Sequence, residues 1–490
     1  MKITLRLIAC LSVVQISLAA DPVLPGARPV VDASQFASLQ AAFDAIPEGG
    51  GLVRLPAGDF EITEPLLLQS GDVRVEGAGS ATNIINRNED GKSALIVQHP
   101  AGQKVNRDER LWRVNLSNFR ITGNEKSGHG IEAIQIEEIF VHGVSVSYSG
   151  GDGIRLDHCY EDPRVSDCLM TYNKAIGLNL MGCHDIVVSA NHFEENQDAL
   201  HCTDSFNLCM TGNNLDDHLG RGVLIENTYG SVLSGNMIEE CQGTAVTLDR
   251  DCYGITISAN VIAHNGAGVD LIDAHGCAVS ANTFTLMKNH ALRIGEHSGR
   301  IAVTGNSFCD SYQGDGRMKR KEGDRQAGGL VLQSTRDISL TGNVFSGLST
   351  EAISVSGETA GVTSSANVIV ERAPRATAYG TISANGTPVV GATVVFEAED
   401  RTYSSGVTDS SGYYQLMFNS EKKGVTPGPK IVRISYSSGD DDGGSEEDPD
   451  EGGKATASAD NIPPRYNSKS ELKAVIEPGD SHEFDFDLTI

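Results

Sequence analysis

Acidic, basic and imidazole side chains recur at fixed positions within short apolar segments in the middle of the chain. Those whose types suit catalysis are Asp198, His201, Arg221, Glu226, Asp249 and Asp270. Those that suit substrate binding are Arg155, Asp157, His290, Arg293, Lys319 and Arg320. A histidine among carboxylates can act as a general base, while an arginine neutralises a negative charge. Two carboxylates at a suitable separation can instead act as an acid and a base in hydrolysis. The sequence leaves both chemistries open.

An asparagine repeat decides how these residues are positioned. The repeat is small polar, small, Asn, any residue, apolar. Its asparagines are Asn191, Asn213, Asn236, Asn260, Asn282, Asn306, Asn343 and Asn367. The steps between them are 22, 23, 24, 22, 24, 37 and 24 residues. We expect Asn118 and Asp167 to hold the equivalent position upstream. We interpret these anchors as structural: each amide adopts the left-handed region at a bend and bonds to the amide one turn away.

A second pattern follows each anchor: Gly or Ala, then apolar, variable, apolar, as in residues 153–156 and 222–225. The apolar positions have the period of a strand, so the short strands predict a solenoid of stacked turns. The outward positions then form two columns: Glu132, Arg155, Asn179, His201, Leu224, Thr247, Asp270, Arg293, Val331, Ser354, and beside them Asp157, Met181, Thr203, Glu226, Asp249, Ile272. Turns about 4.8 Å apart would place Asp198, His201, Arg221 and Glu226 in one subsite.

The N-terminal part carries a family resemblance. Residues 36–47 predict a short amphipathic helix, followed by GGGLVRLPAGDFEI and a Pro-Leu pair. With the repeat, this string resembles the type-3 branch of the pectate-lyase-like right-handed parallel β-helix superfamily. The resemblance implies a β-helix over residues 28–373, of about eleven or more coils with an N-terminal capping helix. That branch contains lyases, hydrolases, epimerases and phage tailspikes, so activity does not follow from it.

One motif of a related enzyme class is present in part. Gly128-His129-Gly130 matches a motif of polygalacturonases, but the paired aspartates and Arg-Ile-Lys of those enzymes are not found in the right order. We interpret Gly130 as the start of another turn.

Residues 376–490 follow a different pattern of alternating strands and Gly or Pro turns, which predicts a small β-sandwich of about seven strands. The string GTPVVGATV with TDSSGYY further on is similar to carboxypeptidase regulatory-like, transthyretin-type domains, which implies an attachment, spacing or stabilising role. The acidic insertion 439–453 is expected to be a solvated loop. Calcium binding there is the alternative, and Ca²⁺ is the one cofactor that the sequence leaves open.

Charge, the N-terminal segment and the cysteine content indicate the protein's partners, its location and the state of its thiols. The formal net charge of −27 argues against a nucleic-acid partner. Residues 1–19 predict a signal peptide, and no later segment is long and apolar enough for a membrane helix. Nine cysteines remain after cleavage, an odd number that favours buried thiols; a Cys159–Cys183 bridge is an alternative, whereas zinc binding is disfavoured because the chain has no Cys-x-x-Cys pair.

The sequence thus predicts a secreted all-β protein that acts on an acidic polysaccharide as a lyase or glycoside hydrolase, with its oligomeric state open. The basic insertion that contains Lys319 and Arg320 would attract an anionic glycan to the groove. The alternative is a non-catalytic glycan-binding or cell-surface attachment protein.

Overall fold

The computed structural model describes residues 24–309, 327–370, 376–398, 402–418, 423–436, 462–477 and 481–489. The predicted signal peptide, the basic insertion with Lys319 and Arg320, and the acidic insertion 439–453 lie outside the described residues. Among the described residues, no helix has both the length and the apolar character needed to cross a membrane.

The N-terminal part of the chain, to Val370, is a right-handed parallel β-solenoid in which a regular turn contributes one strand to each of three sheets, which confirms the predicted fold class. The first sheet comprises Val30–Asp32, Gly51–Arg54, Val73–Glu76, Trp112–Ser117, Glu137–His142, Arg164–Ser166, Val187–Ser189, Cys209–Thr211, Val232–Ser234, Cys252–Tyr253, Thr256–Ser258, Ala274–His275, Ala278–Ser280, Gly299–Thr304, Arg336–Thr341 and Ala360–Ser365.

The second sheet has mostly three-residue strands. It comprises Gly58–Ile62, Thr82–Asn86, Arg120–Thr122, Ser145–Ser147, Leu169–Thr171, His192–Glu194, Asn214–Asp216, Met237–Glu239, Val261–Ala263, Thr283–Thr285, Ser307–Cys309, Val344–Ser346 and Val368–Val370. The third sheet comprises Leu66–Leu68, Leu95–Val97, Ile131–Ile134, Ile154–Asp157, Ile176–Met181, Asp198–Thr203, Val223–Glu226, Thr244–Asp249, Ala267–Leu271, Leu292–Ile294, Leu330–Gln333 and Ile353–Ser356.

The core of the solenoid runs along its axis, between the three sheets. In a typical strand of the third sheet, Val223 and Ile225 are fully buried while Glu226 faces outward. Identical core positions stack from turn to turn: the rings of Phe284, Phe308 and Phe345 are parallel, with centroids 4.8 and 4.7 Å apart. One turn alone could not bury its apolar side chains, so the fold depends on stacking.

The asparagine anchors form a continuous buried ladder. For example, Asn213 Nδ2 donates to Asn236 Oδ1 at 2.9 Å and to the Val188 carbonyl at 3.1 Å. The left-handed residue of each bend, however, is the one before the anchor, such as Ala190 with φ of 56°.

The predicted upstream extension of the ladder is wrong by one position. Asn118 and Asp167 have φ of 58° and 53°, so they occupy the left-handed position instead. The ladder position after Asp167 belongs to Cys168, whose N–H donates to Asn191 Oδ1 at 3.0 Å. Short polar side chains tolerate the left-handed region, and the repeat length is the same for either position of the bend.

The N-terminal helix is shorter than predicted. It spans Leu39–Asp44, because Ser38 caps it: Ser38 Oγ accepts a hydrogen bond from Ala41 N–H at 3.1 Å. Ala33–Gln35 forms a separate 3₁₀ turn, and other 3₁₀ turns are Gly79–Ala81, Gly102–Lys104, Arg107–Glu109 and Pro464–Tyr466.

The C-terminal part is a small β-sandwich with its own core. One sheet comprises Thr377–Ala384, Thr387–Pro388, Tyr413–Gln415, Ser481–Glu483 and Phe486–Leu488, and the other comprises Ala392–Glu397, Tyr403–Val407, Gly428–Tyr436 and Lys473–Ile476. Pairing within the sandwich is antiparallel, except that its last two strands, Ser481–Glu483 and Phe486–Leu488, pair in parallel with Thr377–Ala384. Both sheets contribute to one apolar cluster, with Tyr414 from one and Phe396 from the other. The resemblance to regulatory-like domains stays a prediction.

The nine cysteines between Cys159 and Cys309 are free thiols, seven of them buried. Burial raises the pKa of the Cys168, Cys202 and Cys252 thiols to about 12. Cys159 and Cys183 are not bridged, so these cysteines pack as small apolar side chains.

Candidate active site

The register of the third sheet produces the predicted outward column. Glu132 pairs with Arg155, Arg155 with Asn179, Asn179 with His201, and the series continues through Leu224, Thr247, Asp270, Arg293, Val331 and Ser354. The second column, from Asp157 to Asp249, is also in register. Residues two positions before each strand's first core residue add a third line of side chains, which includes Asp198 and Arg221.

Asp198 and His201 form a hydrogen-bonded couple on this outward face of the third sheet. His201 Nε2 lies 2.7 Å from Asp198 Oδ2, and the Arg221 backbone N–H donates to Asp198 Oδ1 at 2.6 Å. Burial raises the pKa of the Asp198 carboxyl, but the hydrogen bonds from His201 and the Arg221 amide outweigh it, so the pKa lies below its usual value. An ionised Asp198 holds the proton on Nε2 and leaves Nδ1 as the proton acceptor.

Asp270 and His290 form a second couple on the same face of the third sheet. His290 Nε2 lies 2.5 Å from Asp270 Oδ1, while Arg293 and Thr244 donate to Oδ2 at 2.9 and 3.2 Å. Burial raises the pKa of the Asp270 carboxyl, but the hydrogen bond and charge of His290, with the charge of Arg293, leave that pKa below its usual value. Asp270 lies three turns from Asp198, or about 14 Å.

The surface between the two couples is uncharged along its centre. Leu224 and Thr247 lie in the column between His201 and Asp270, and both expose only a small fraction of their surface, 7% and 4%. Arg221 and Glu226 lie on the same turn as Leu224, one at each end of its strand. A ring that rests on Leu224 would therefore meet a cation on one side, a carboxylate on the other and His201 one turn away.

Glu226 and Asp249 are the adjacent carboxylates of the second column. Arg250, which sequence reasoning missed, connects them: its backbone N–H donates to Asp249 at 2.8 Å, and its Nε lies 3.7 Å from Glu226. The same guanidinium donates to Asp204 at 3.0 Å. Arg250 follows its strand in a left-handed turn, with φ of 55°, so no column pattern reveals it.

Arg155 and Asp157 contact one another rather than the His201 couple. Arg155 lies 3.6 Å from Asp157, which also bonds to His158. Arg155 is two turns from His201, whereas Arg221 is one turn away. Arg221 is therefore better placed than Arg155 to neutralise the charge of a substrate bound beside His201.

A third histidine, His129, also lies beside an aspartate, a contact that the sequence did not predict, but it bonds to the backbone of that aspartate and not to its carboxylate. His129 Nδ1 lies 3.3 Å from Asp152 and accepts the Asp152 backbone N–H at 2.9 Å. The buried Asp152 also accepts from Asn179 at 3.0 Å. Gly130 does begin a turn, since Ile131–Ile134 follows it. The sequence could have indicated this contact, because Asp152 precedes its strand by the same number of residues as Asp198 does.

Two groups of side chains in the described part of the chain have ligand atoms close enough to hold an ion: Asp251, Asp273 and His275, and Asp216, Asp217 and Glu240. Burial and the neighbouring Glu240 and Asp216 raise the pKa of the Asp217 carboxyl to about 6. Neither group contains a residue of the His201 or His290 couples.

Comparison with known proteins gives the fold and one partial family match. Residues 116–322 match the family described as periplasmic copper-binding protein (NosD), which is less than half of the chain. No curated protein matches the chain. The match leaves membership of the type-3 pectate lyase branch a prediction.

Several solved structures are similar in fold at low identity. The A-module of mannuronan C-5 epimerase AlgE4 from Azotobacter vinelandii is 16% identical, with a TM-score of 0.47 over 71% of this chain and 98% of that one. The catalytic unit of a GH87 α-1,3-glucanase from Streptomyces thermodiastaticus is 16% identical, with a TM-score of 0.47 over 71% and 70%. The Dettilon tailspike protein is 12% identical, with a TM-score of 0.45 over 83% and 78%. These likenesses concern the fold and assign no activity.

Proposed function

We propose that the protein is an exported polysaccharide lyase that cleaves a uronate-containing polymer in the groove of the third sheet. The observation that carries this proposal is the His201–Asp198 couple, held by the Arg221 backbone amide and adjacent to the Arg221 side chain. A base oriented by a carboxylate, next to a cation, suits removal of a proton from the carbon beside a carboxylate.

The reaction follows from the position of each group. Arg221 binds the uronate carboxylate and stabilises the negative charge that spreads into it when His201 Nδ1 removes the C5 proton. The C5 electron pair then forms the C4–C5 double bond, and the C4–O bond breaks. The imidazolium returns its proton to the leaving oxygen. Asp198 does not change its protonation state; it stabilises the imidazolium, as in other carboxylate–histidine couples.

Hydrolysis has weaker support from the same groove. Asp198 and Asp270 are about 14 Å apart, beyond the roughly 5–9.5 Å that glycoside hydrolysis requires, and their lowered pKa values make them poor proton donors. Glu226 and Asp249 lie on adjacent turns at about 4.8 Å and are the carboxylate pair that hydrolysis would use.

Copper chemistry is not part of the proposal, although the partly matching family is described as copper-binding. Copper prefers thiolate, thioether and imidazole ligands. The two ion-sized groups in the described residues are mainly carboxylates, and seven of the nine thiols are buried. In the part of the chain that the structure describes, these two groups do not fit the ligands that copper prefers. The family's periplasmic location agrees with the proposed export.

The test is to incubate the protein with polygalacturonate, alginate and sulfated glycans and record ultraviolet absorbance of unsaturated products together with new reducing ends. We expect both signals to rise together, and His201→Ala and Arg221→Ala to abolish both. His192→Ala is a matched control, because His192 lies outward on the second sheet. Reducing ends without absorbance would indicate hydrolysis through Glu226 and Asp249. Binding without turnover would favour the non-catalytic alternative.

A further inference from the structure

A second groove lies on the outward face of the first sheet, near its N-terminal end. It consists of two cavities of about 300 and 480 Å³ that share Arg74 and Asn115 in their walls. Its floor is a register column that runs from Leu52 through Arg74, Asn115, Phe140 and Arg164 to Val187. The column spans six turns, or about 24 Å.

The lining of this groove is basic in an otherwise acidic protein. Four arginines and a single aspartate line the two cavities, although the chain carries a formal charge of −27. Arg113 and Arg28 both bond to Asp72, so these three residues together carry one net positive charge. Arg74 pairs with Glu76 at 3.1 Å at the edge of the groove.

Arg164 is the cation best placed for a ligand. It is exposed, and its guanidinium carbon lies 5.0 Å from the centroid of the Phe140 ring, its neighbour in the column. Stacking on the ring keeps the guanidinium flat over the floor while its N–H groups stay available. Because the guanidinium lies over the Phe140 ring, the ring supports the cation and does not offer that face to a sugar.

The other side of the floor provides short polar groups. Ser117, His142, Ser166 and Ser189 form the neighbouring column, and His142 Nδ1 lies 3.2 Å from Ser166 Oγ. Ser117 is buried, but His142, Ser166 and Ser189 on the next three turns can exchange hydrogen bonds with successive sugar hydroxyls. Cations spaced along an elongated, open floor fit a linear chain of acidic sugars better than a compact anion.

We propose that this groove is a non-catalytic binding site for an anionic polysaccharide, with Arg164 as the main charge contact and Phe140 as the ring that holds its guanidinium in place. It lies on a different sheet from the His201 couple, so a chain held here is not the chain positioned for cleavage. Such a site would keep the protein attached to polymeric material while the third-sheet groove is free to act on another segment.

The experiment measures binding separately from turnover. Mature protein is run in gels that contain polygalacturonate, alginate or heparin, with dextran as the neutral glycan, at low and high salt. We expect retardation by at least one anionic polymer, none by dextran, and weaker retardation at high salt. Arg164→Gln should weaken affinity about tenfold, as expected for loss of one charge-assisted contact, and Phe140→Ala should weaken it less, because it removes only the support of the guanidinium.

Arg300→Gln is the matched control, because Arg300 is an exposed arginine of the same sheet six turns away. Unchanged thermal unfolding of Arg164→Gln shows that the fold is intact. The inference is refuted if no anionic glycan binds, if Arg164→Gln binds like the control, or if single-stranded DNA binds more tightly than every glycan. Turnover of short oligosaccharides should stay at the wild-type rate in both groove variants. Binding that persists without any turnover would overturn the proposed lyase activity but not this site.

Discussion

Replacing Asp198 by asparagine tests the proposed base directly, because the substitution keeps the shape of the side chain and removes its charge. Asp198 makes two short contacts, to His201 Nε2 and to the Arg221 amide. An amide can still accept the Arg221 N–H through its oxygen, but its NH₂ group then faces His201 Nε2. The imidazole would have to accept there, which places its proton on Nδ1, the atom that should remove the substrate proton.

The expected loss follows from the role of the base. A positioned general base contributes about 10²–10⁴-fold to the rate, so Asp198→Asn should lower kcat by about that factor. KM should change little, because Arg221 still binds the substrate carboxylate. The assay is the initial rate of unsaturated-product absorbance at several substrate concentrations. Asp185→Asn is the control, since Asp185 is an exposed turn residue whose carboxylate bonds to Asn207. A kcat within a few fold of wild type would refute the assignment of His201 as the base.

The remaining predictions concern the elements that support the site. Gly220→Ala should lower activity strongly, because a Cβ there would lie 2.2 Å from the Asp198 carboxylate, whereas Gly49→Ala meets nothing within 4 Å and should be neutral in the same assay. Burial lowers the pKa of the His218 imidazole to about 4. Because the unfolded chain then binds more protons, stability should fall by about 3 kcal/mol as the pH drops from about 6.5 to 4, and His218→Asn should remove that slope in urea titrations. Asn236→Ala should cost about 2–4 kcal/mol in urea unfolding, since it breaks hydrogen bonds within the buried ladder, while the outward Asn214→Ala should cost less than about 1 kcal/mol.

The fold and the outward columns could be predicted because they depend on one repeating local rule. Side chains alternate inward and outward in the same way on each turn. A glycine that begins a strand, such as Gly153 or Gly222, therefore shows which residues of consecutive turns lie next to one another. The pairing of His201 with Leu224 and Thr247 follows from that register. Because the repeat is regular, the number of residues between two positions is enough to tell how many turns separate them in the structure.

Residues at the bends could not be placed in the same way. Arg250 reaches Glu226 and Asp204 from a left-handed turn, where the direction of a side chain is not set by strand alternation. Asn118 was assigned to the ladder although it lies one position before it, because both positions of the bend recur at the same interval and both accept small polar residues. The sequence does not predict the first-sheet groove either, because three of its four arginines, Arg28, Arg74 and Arg113, precede the regular repeat.

Strand length explains why the third sheet, rather than the second, presents the candidate active site. Beyond the first two turns, second-sheet strands have three residues, of which the central one faces the core, so only two side chains per turn face outward. Around His201 the third-sheet strands lengthen to six residues, as in Asp198–Thr203 and Thr244–Asp249. Each such turn presents three outward positions instead of two, so a sugar ring bound there could contact more side chains of the same turn. The first sheet reaches the same length at Trp112–Ser117 and Glu137–His142, where the second groove lies. Each proposed glycan site therefore combines at least one six-residue strand with shorter neighbours, which are Val223–Glu226 beside His201 and Arg164–Ser166 beside Phe140.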